Sequence, residues 1–194
     1  MRGQTSDFYF LIPQPQYMNY FEFYELPVLF RVNEKEVKSK FYELSKRYHP
    51  DFFANESEEK QQEILELATL NNKAYQILSH PLKRIEYILS INNLMAEGEK
   101  YQLSQDFLMD MMDVNEALME QEFEPDAIAL DLINQQVGAI EKRLFDELKQ
   151  HTDAFDVDSL AQNKSTLLKI KDIWYRKKYL LRIRESLNRF AARV

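Results

Sequence analysis

Apolar residues recur three and four positions apart along almost the whole chain, and alternation with a period of two is nearly absent. This spacing commits the backbone to helices, each with one apolar stripe to bury. The punctuation agrees: 194 residues carry only 3 Gly and 6 Pro, too few for a sheet built on many tight turns. An all-α fold is expected, with enough chain for one medium domain or two small ones.

Tyr20 to Glu25 reads as a short aromatic helix ended by Pro27. Asn33 is placed to cap the next helix, and Glu36 three residues on suggests a capping box. That helix is predicted to run to Tyr48 and to bury Val37, Phe41, Leu44 and Tyr48, at spacings of four, three and four. Lys35, Lys38 and Lys46 share the opposite, exposed face with Tyr42. Lys46 and Arg47 also occupy the last turn, where cations suit the helix dipole.

Pro50 stops this helix, because it biases His49 out of the helical region and cannot itself continue a helix. His49-Pro50-Asp51 therefore holds an imidazole and a carboxylate on either side of a stiff ring in an exposed loop. A plain turn would serve as well with Gly, Asn or Ser and requires no His. With nothing nearby to complete a catalytic set, the tripeptide reads as a contact device.

Ser57 is a plausible cap for a helix carrying Ile64, Leu67, Ala68, Asn71, Ala74, Tyr75 and Leu78 on one stripe and ending before Pro81. Leu82 to about Ile91 forms another, with Ile85, Ile88 and Leu89 buried. Residues 92–103, polar and containing Gly98, read as a linker. Three longer helices are expected near 104–121, 126–150 and 159–190. Pro125 is assigned to the first turn of the second, whose inward residues are Leu130, Ile133, Val137, Ile140, Leu144 and Leu148. The third is assigned Leu160, Leu167, Ile170, Trp174 and Leu181. Three helices with short connections make a bundle. The organisation expected is an N-terminal extension over 1–17, a domain over 18–91, the linker 92–103 and a bundle over 104–194.

At 100° per residue, Phe107, Met111, Val114 and Leu118 fall together on the first bundle helix as its core stripe. Leu108, Met109, Met112 and Met119 fall on another side, beside Asp113, Glu116 and Glu120. One apolar stripe suffices for a helix in such a bundle, so the second is surplus. It either packs on another part of the chain or meets a partner, for which adaptable methionines bordered by acids are suited.

A formal net charge of −7 disfavours nucleic acid as the main partner. No apolar run approaches a membrane span, and Phe8-Tyr9-Phe10-Leu11-Ile12 is too short for a signal core, so the cytoplasm is the expected location. With no Cys there is no disulfide, thiolate site or thiol nucleophile. His80 and His151 lack partners at ligand spacing, so neither metal nor other cofactor is expected. No nucleophile–base pairing or phosphate-cradling Gly loop is visible, so an enzyme is not expected.

Segment 18–91 resembles a J domain, through Tyr48-His49-Pro50-Asp51 after a basic helix and through Asn72-Lys73-Ala74-Tyr75-Gln76-Ile77-Leu78 followed by Pro81, Arg84 and Tyr87. Residues 18–194 together resemble the HscB family, bacterial type: a J domain joined to a C-terminal three-helix bundle. There the resemblance is carried by Phe107-Leu108-Met109-Asp110-Met111-Met112-Asp113-Val114-Asn115-Glu116-Ala117-Leu118. It implies a co-chaperone of iron–sulfur cluster assembly. The chaperone side, facing a DnaK/HscA-type ATPase, would use Lys35, Lys38, Lys46, Arg47, His49, Pro50 and Asp51. The side facing an IscU-type cluster scaffold would use Leu108, Met109, Met112, Asp113 and Glu116, with an aromatic of the last helix. Trp174 and Tyr175 both align with that aromatic, and Tyr175 is favoured. A basic residue often follows the Asp in J domains, whereas Phe52 and Phe53 follow here. A different client for the bundle, or its use in a homodimer, stays open.

Overall fold

The computed structural model describes residues 19–96, 98–123, 125–155 and 160–192; the extension expected over 1–17 lies outside them. Among the described residues there are seven α-helices, one 3₁₀ turn and no strand, as the periodicity requires. They form two compact units. One contains the residues up to Val28 with Val32–Pro81, and the other Leu29–Arg31 with Leu82 onward.

In the first unit α1 (Tyr20–Phe23) and α2 (Glu34–Arg47) pack on α3 (Glu58–Leu78). The capping box lies not at α2 but at α1, where Asn19 accepts from the backbone of Phe21 and Glu22 and Glu22 answers to the Asn19 N–H. Asn33 does cap α2, accepting from Lys35 N at 3.1 Å, but Glu36 does not return the bond. The Asn33 oxygen is taken up at the second helical position, and Glu36 remains exposed. Val37 and Leu44 are buried as expected, while Phe41 and Tyr48 are half-buried and engage rings. Phe41 stacks on Tyr75 at 4.3 Å between centroids, and Tyr48 stacks on Phe23 at 6.4 Å.

Asn71 joins all three helices of this unit. Its Nδ2 donates to Phe41 O at 3.0 Å and to Ser45 Oγ at 2.9 Å, both on α2. Its Oδ1 accepts from the Tyr24 hydroxyl, just past α1, at 2.8 Å, and that hydroxyl also reaches Asn71 O at 3.1 Å. A buried amide unpaired here would be costly; fully paired, it fixes how α2 sits along α3. Burial drives the Tyr24 phenol far above its ordinary pKa.

The second unit contains α4 (Pro81–Ile91) from Leu82 onward, α5 (Gln105–Phe123), α6 (Ala127–Asp153) and α7 (Leu160–Ala191). The last three form the bundle around Phe107, Met111, Val114, Leu118, Leu130, Ile133, Val137, Ile140 and Leu144, with Leu148 packed at its edge. Pro125 is not in the first turn of α6: Asp126 is the cap, accepting from Ile128 N at 2.8 Å, so the proline stands before it. Buried Gln121 holds this turn by accepting from Asp126 N at 2.8 Å.

α7 departs from the stripe assigned to it. Leu167, Ile170 and Trp174 are buried, but Leu181 is exposed and Leu160 lies outside the described side chains. The bundle core is entered instead by Ile173, Leu180, Ile183, Leu187 and Phe190. At 100° per residue these lie roughly 100–180° round the helix from Trp174. The Trp174 face is covered at the level of that residue, whose Nε1 donates to Leu82 O at 3.1 Å. Two turns later it opens to solvent. α7 thus has two apolar faces, and Leu181 extends the one that is covered over only part of its length.

Tyr24→Phe should destabilise the protein by about 1–2 kcal/mol, because it leaves the Asn71 Oδ1 buried without its donor. Urea unfolding followed by circular dichroism measures this; an unchanged midpoint would show that the amide is not the joint of the unit.

Candidate functional site

Pro50 performs the termination expected of it. Tyr48 closes α2 with its N–H on Leu44 O, His49 is extended at φ −72° and ψ 123°, and Pro50–Phe53 make one 3₁₀ turn. His49 Nδ1 accepts from Asp51 N at 3.3 Å, and Phe52 N donates to His49 O at 3.1 Å. An Nδ1 that accepts leaves the neutral ring's proton on Nε2, so a donor is presented outward. The Asp51 carboxylate lies 3.7 Å from Nδ1, and His49, Pro50 and Asp51 are all exposed. Gln61 fastens the far side of the loop, donating from α3 to Ala54 O at 3.2 Å and Glu56 O at 2.9 Å. The loop is therefore held at both ends, and the tripeptide within it is uncovered. Phe52, where a cation often stands in J domains, is exposed with its ring 5.5 Å from the His49 ring.

Lys35, Lys38, Tyr42 and Lys46 are exposed along one side of α2, and no lysine of this stripe forms an ion pair among the described residues. Arg47 lies roughly 100–180° round the helix from them and pairs with Glu43 at 2.8 Å. The free cationic stripe thus consists of the three lysines. Arg47 stands off this stripe, with part of its charge already answered.

In the second unit the wheel assignment for α5 is realised. Phe107, Met111, Val114 and Leu118 are buried, while Leu108, Met109 and Met112 are 44%, 56% and 58% exposed. Asp113 and Glu116 are exposed beside them. Among the described residues the surplus stripe is not consumed by internal packing.

Of the two candidate aromatics on α7, Trp174 is only 4% exposed. Tyr175 is half-buried and stacks on Tyr101, with centroids 4.2 Å apart and planes 2° from parallel. Its hydroxyl lies 3.5 Å from Glu99, and Tyr101 donates to Asp172 at 2.8 Å. Tyr179, one turn on, touches α5: its ring meets Phe107 edge-on at 5.7 Å, and its hydroxyl accepts from Asn115 at 2.8 Å. Tyr175 keeps an accessible edge, whereas Trp174 is spent on packing. The backbone of 99–104 is irregular but anchored, because Glu99 also pairs with Lys171. Neither the Gln61 fastening nor the Tyr101 stack is foreshadowed by periodicity, since both join a helix to a loop.

Among the described residues no cluster of three or more His, Asp or Glu could hold a metal ion, and no helix is long and apolar enough to cross a membrane.

Comparison with known proteins assigns both halves. Residues 20–87 match the model of the DnaJ domain, and residues 103–188 match that of the HSCB C-terminal oligomerisation domain. A "Co-chaperone protein HscB homolog" of Vibrio vulnificus is 39% identical over 136 residues, 69% of this chain and 75% of that protein. A homolog of the same name from Vibrio campbellii is 44% identical over 103 residues, which span 52% of this chain and 60% of that protein. Among solved structures, the chaperone HscB from Vibrio cholerae superposes with a TM-score of 0.66 at 28% identity, covering 91% of this chain and 99% of that one. Human co-chaperone protein HscB gives 0.71 at 25% identity, covering 94% and 86%.

Burial, and next the bond to Asp172, push the Tyr101 phenol up to about 12. The unfolded chain ionises this group near pH 10, so it binds fewer protons than the folded one above that value. Stability should therefore fall as pH rises from about 10 to about 12, and Tyr101→Phe should flatten part of that decline in thermal melts.

Proposed function

This chain belongs to the HscB family of co-chaperones, and from that premise we propose that it is a two-ended adaptor in iron–sulfur cluster assembly. One end engages a DnaK/HscA-type chaperone ATPase through Lys35, Lys38, Lys46, Arg47 and the loop His49-Pro50-Asp51. The other holds an IscU-type cluster scaffold through Leu108, Met109, Met112, Asp113 and Glu116 on α5, with Tyr175 on α7. The observation that carries this is a pair of built but uncovered surfaces. A fastened, exposed His-Pro-Asp loop ends a lysine stripe, and a second apolar stripe stands clear of the bundle core.

The chemistry of each end follows from its charge. Three unpaired lysines steer towards an acidic groove, and the rigid loop delivers an imidazole donor and a carboxylate without a large ordering cost. The partner performs ATP hydrolysis; this chain promotes it. Covalent linkage of the two ends raises the effective concentration of scaffold at the chaperone. Conversion of the chaperone to its ADP state then retains the scaffold and favours cluster transfer. A cytoplasmic site of action is part of this reading. The matched description of 103–188 as an oligomerisation domain supports a second use of the bundle, in a homodimer, which sedimentation velocity distinguishes.

His49→Gln should abolish stimulation of a purified DnaK-type ATPase while scaffold affinity, read by calorimetry, stays unchanged; full stimulation by this variant refutes the chaperone assignment. Replacing Leu108, Met109 and Met112 together with Ala should do the opposite, weakening scaffold binding by about a hundredfold or more. Their exposure keeps the expected change in stability within about 1 kcal/mol, so a loss of binding would not be a loss of fold.

A further inference from the structure

The grip on α5 does not end where the family pattern ends. At 100° per residue, Leu108, Met112, Met119 and Phe123 lie within about 60° of one another, with Met109 at the border. Met119 and Phe123 are 63% and 86% exposed, and Phe123 exceeds every other large hydrophobic exposed among the described residues. From Leu108 to Phe123 the stripe runs about 22 Å, the whole length of the helix. The buried stripe of Phe107, Met111, Val114 and Leu118 is centred about 120° round the helix from it, and Met119 and Phe123 stand exposed outside the bundle core.

The charge on this helix is of one sign. Between Gln105 and Phe123 stand Asp106, Asp110, Asp113, Glu116, Glu120 and Glu122, without a single Lys or Arg. Asp110 is tied to Arg143 at 3.4 Å, and the others form no ion pair among the described residues. Asp113, Glu116 and Glu120 line one flank of the stripe. A ligand for such a face must offer apolar sockets bordered by cations, and a second copy of the same acidic helix would be repelled.

Resting on the scaffold reading above, we infer that the scaffold-binding surface extends along all of α5, with Met119 and Phe123 as anchors beyond the Leu108–Glu116 motif and a cationic, apolar-socketed face of the scaffold as their occupant. Aromatic side chains that enter a desolvated pocket carry a large share of binding energy. Phe123 occupies the position where such an anchor would gain most, since nearly all of its surface is free to be buried.

The test uses the full chain and a purified IscU-type scaffold in calorimetry, with three variants. Met119→Ser/Phe123→Ser should weaken binding by about tenfold or more, and Phe145→Ser, an exposed apolar residue on α6, should leave it unchanged. Wild-type affinity should fall as salt rises. If the Leu108, Met109 and Met112 replacement abolishes binding while Met119→Ser/Phe123→Ser leaves it intact, the extension is overturned and the scaffold reading stands. If neither weakens binding, the scaffold reading itself fails. If sedimentation velocity shows a wild-type dimer that Met119→Ser/Phe123→Ser converts to monomer, the occupant is a second copy, and the inference is overturned.

Discussion

The amide of Asn71 is the constraint on which the first unit depends. It is buried on α3, spends both donors on α2 and gives its oxygen to the hydroxyl of Tyr24. An apolar residue there could fill the space but would not specify one sliding position of α2 over another, since dispersion contacts tolerate small shifts and hydrogen bonds do not. Once α2 is fixed along α3, so is the point at which Pro50 ends it. Gln61 then fixes where the loop rejoins α3. The exposed imidazole and carboxylate inherit their positions from a buried amide about two turns of helix away.

The second unit obtains its exposed surface by a different route, through helices with more apolar faces than a three-helix bundle can bury. α5 has two such faces, one in the core and one in solvent. α7 also has two, and there the additional face is covered near Trp174 by the carbonyl and surroundings of Leu82 and left open at Leu181. The same sequence device thus leads to internal packing in one helix and an uncovered surface in the other. The charges beside each stripe differ in step: α5 bears carboxylates alone, whereas α7 is rich in Lys and Arg, two of which are tied to α6, Arg176 to Glu147 and Arg184 in a two-pronged pairing to Glu141.

What was legible in the chain was whatever a single helix decides for itself. The α5 wheel separated Met111 from Met112 correctly, because adjacent positions differ by 100° and only one can face the core. The stop at Tyr48 followed from the geometry of one proline. What was not legible depends on a neighbour. Whether Asn33 shares a box with Glu36 depends on which amide its oxygen meets first, and whether Leu181 is covered depends on how far along α7 its covering extends. Tyr175 illustrates both. Its place on α7 could be read from the sequence, but its stack on Tyr101 joins residues 74 apart, and no local pattern announces that.

The two surfaces carry opposite charge, and that opposition does more than attract. On the proposed reading, an acidic chaperone groove drawn to Lys35, Lys38 and Lys46 would be repelled by Asp113, Glu116 and Glu120, while a cationic scaffold face suited to α5 would be repelled by the lysine stripe. Mispairing would then be penalised at both ends without any added residue, because specificity is a difference of affinities and like charges supply the unfavourable side of it. The overall charge of −7 sharpens the arrangement: against an acidic background three unpaired lysines are a local exception, and steering depends on that contrast more than on the total. Screening limits the reach of both effects to about 8 Å at physiological salt. On that reading charge orients and discriminates at each end, and retention at the bundle would fall to the apolar stripe.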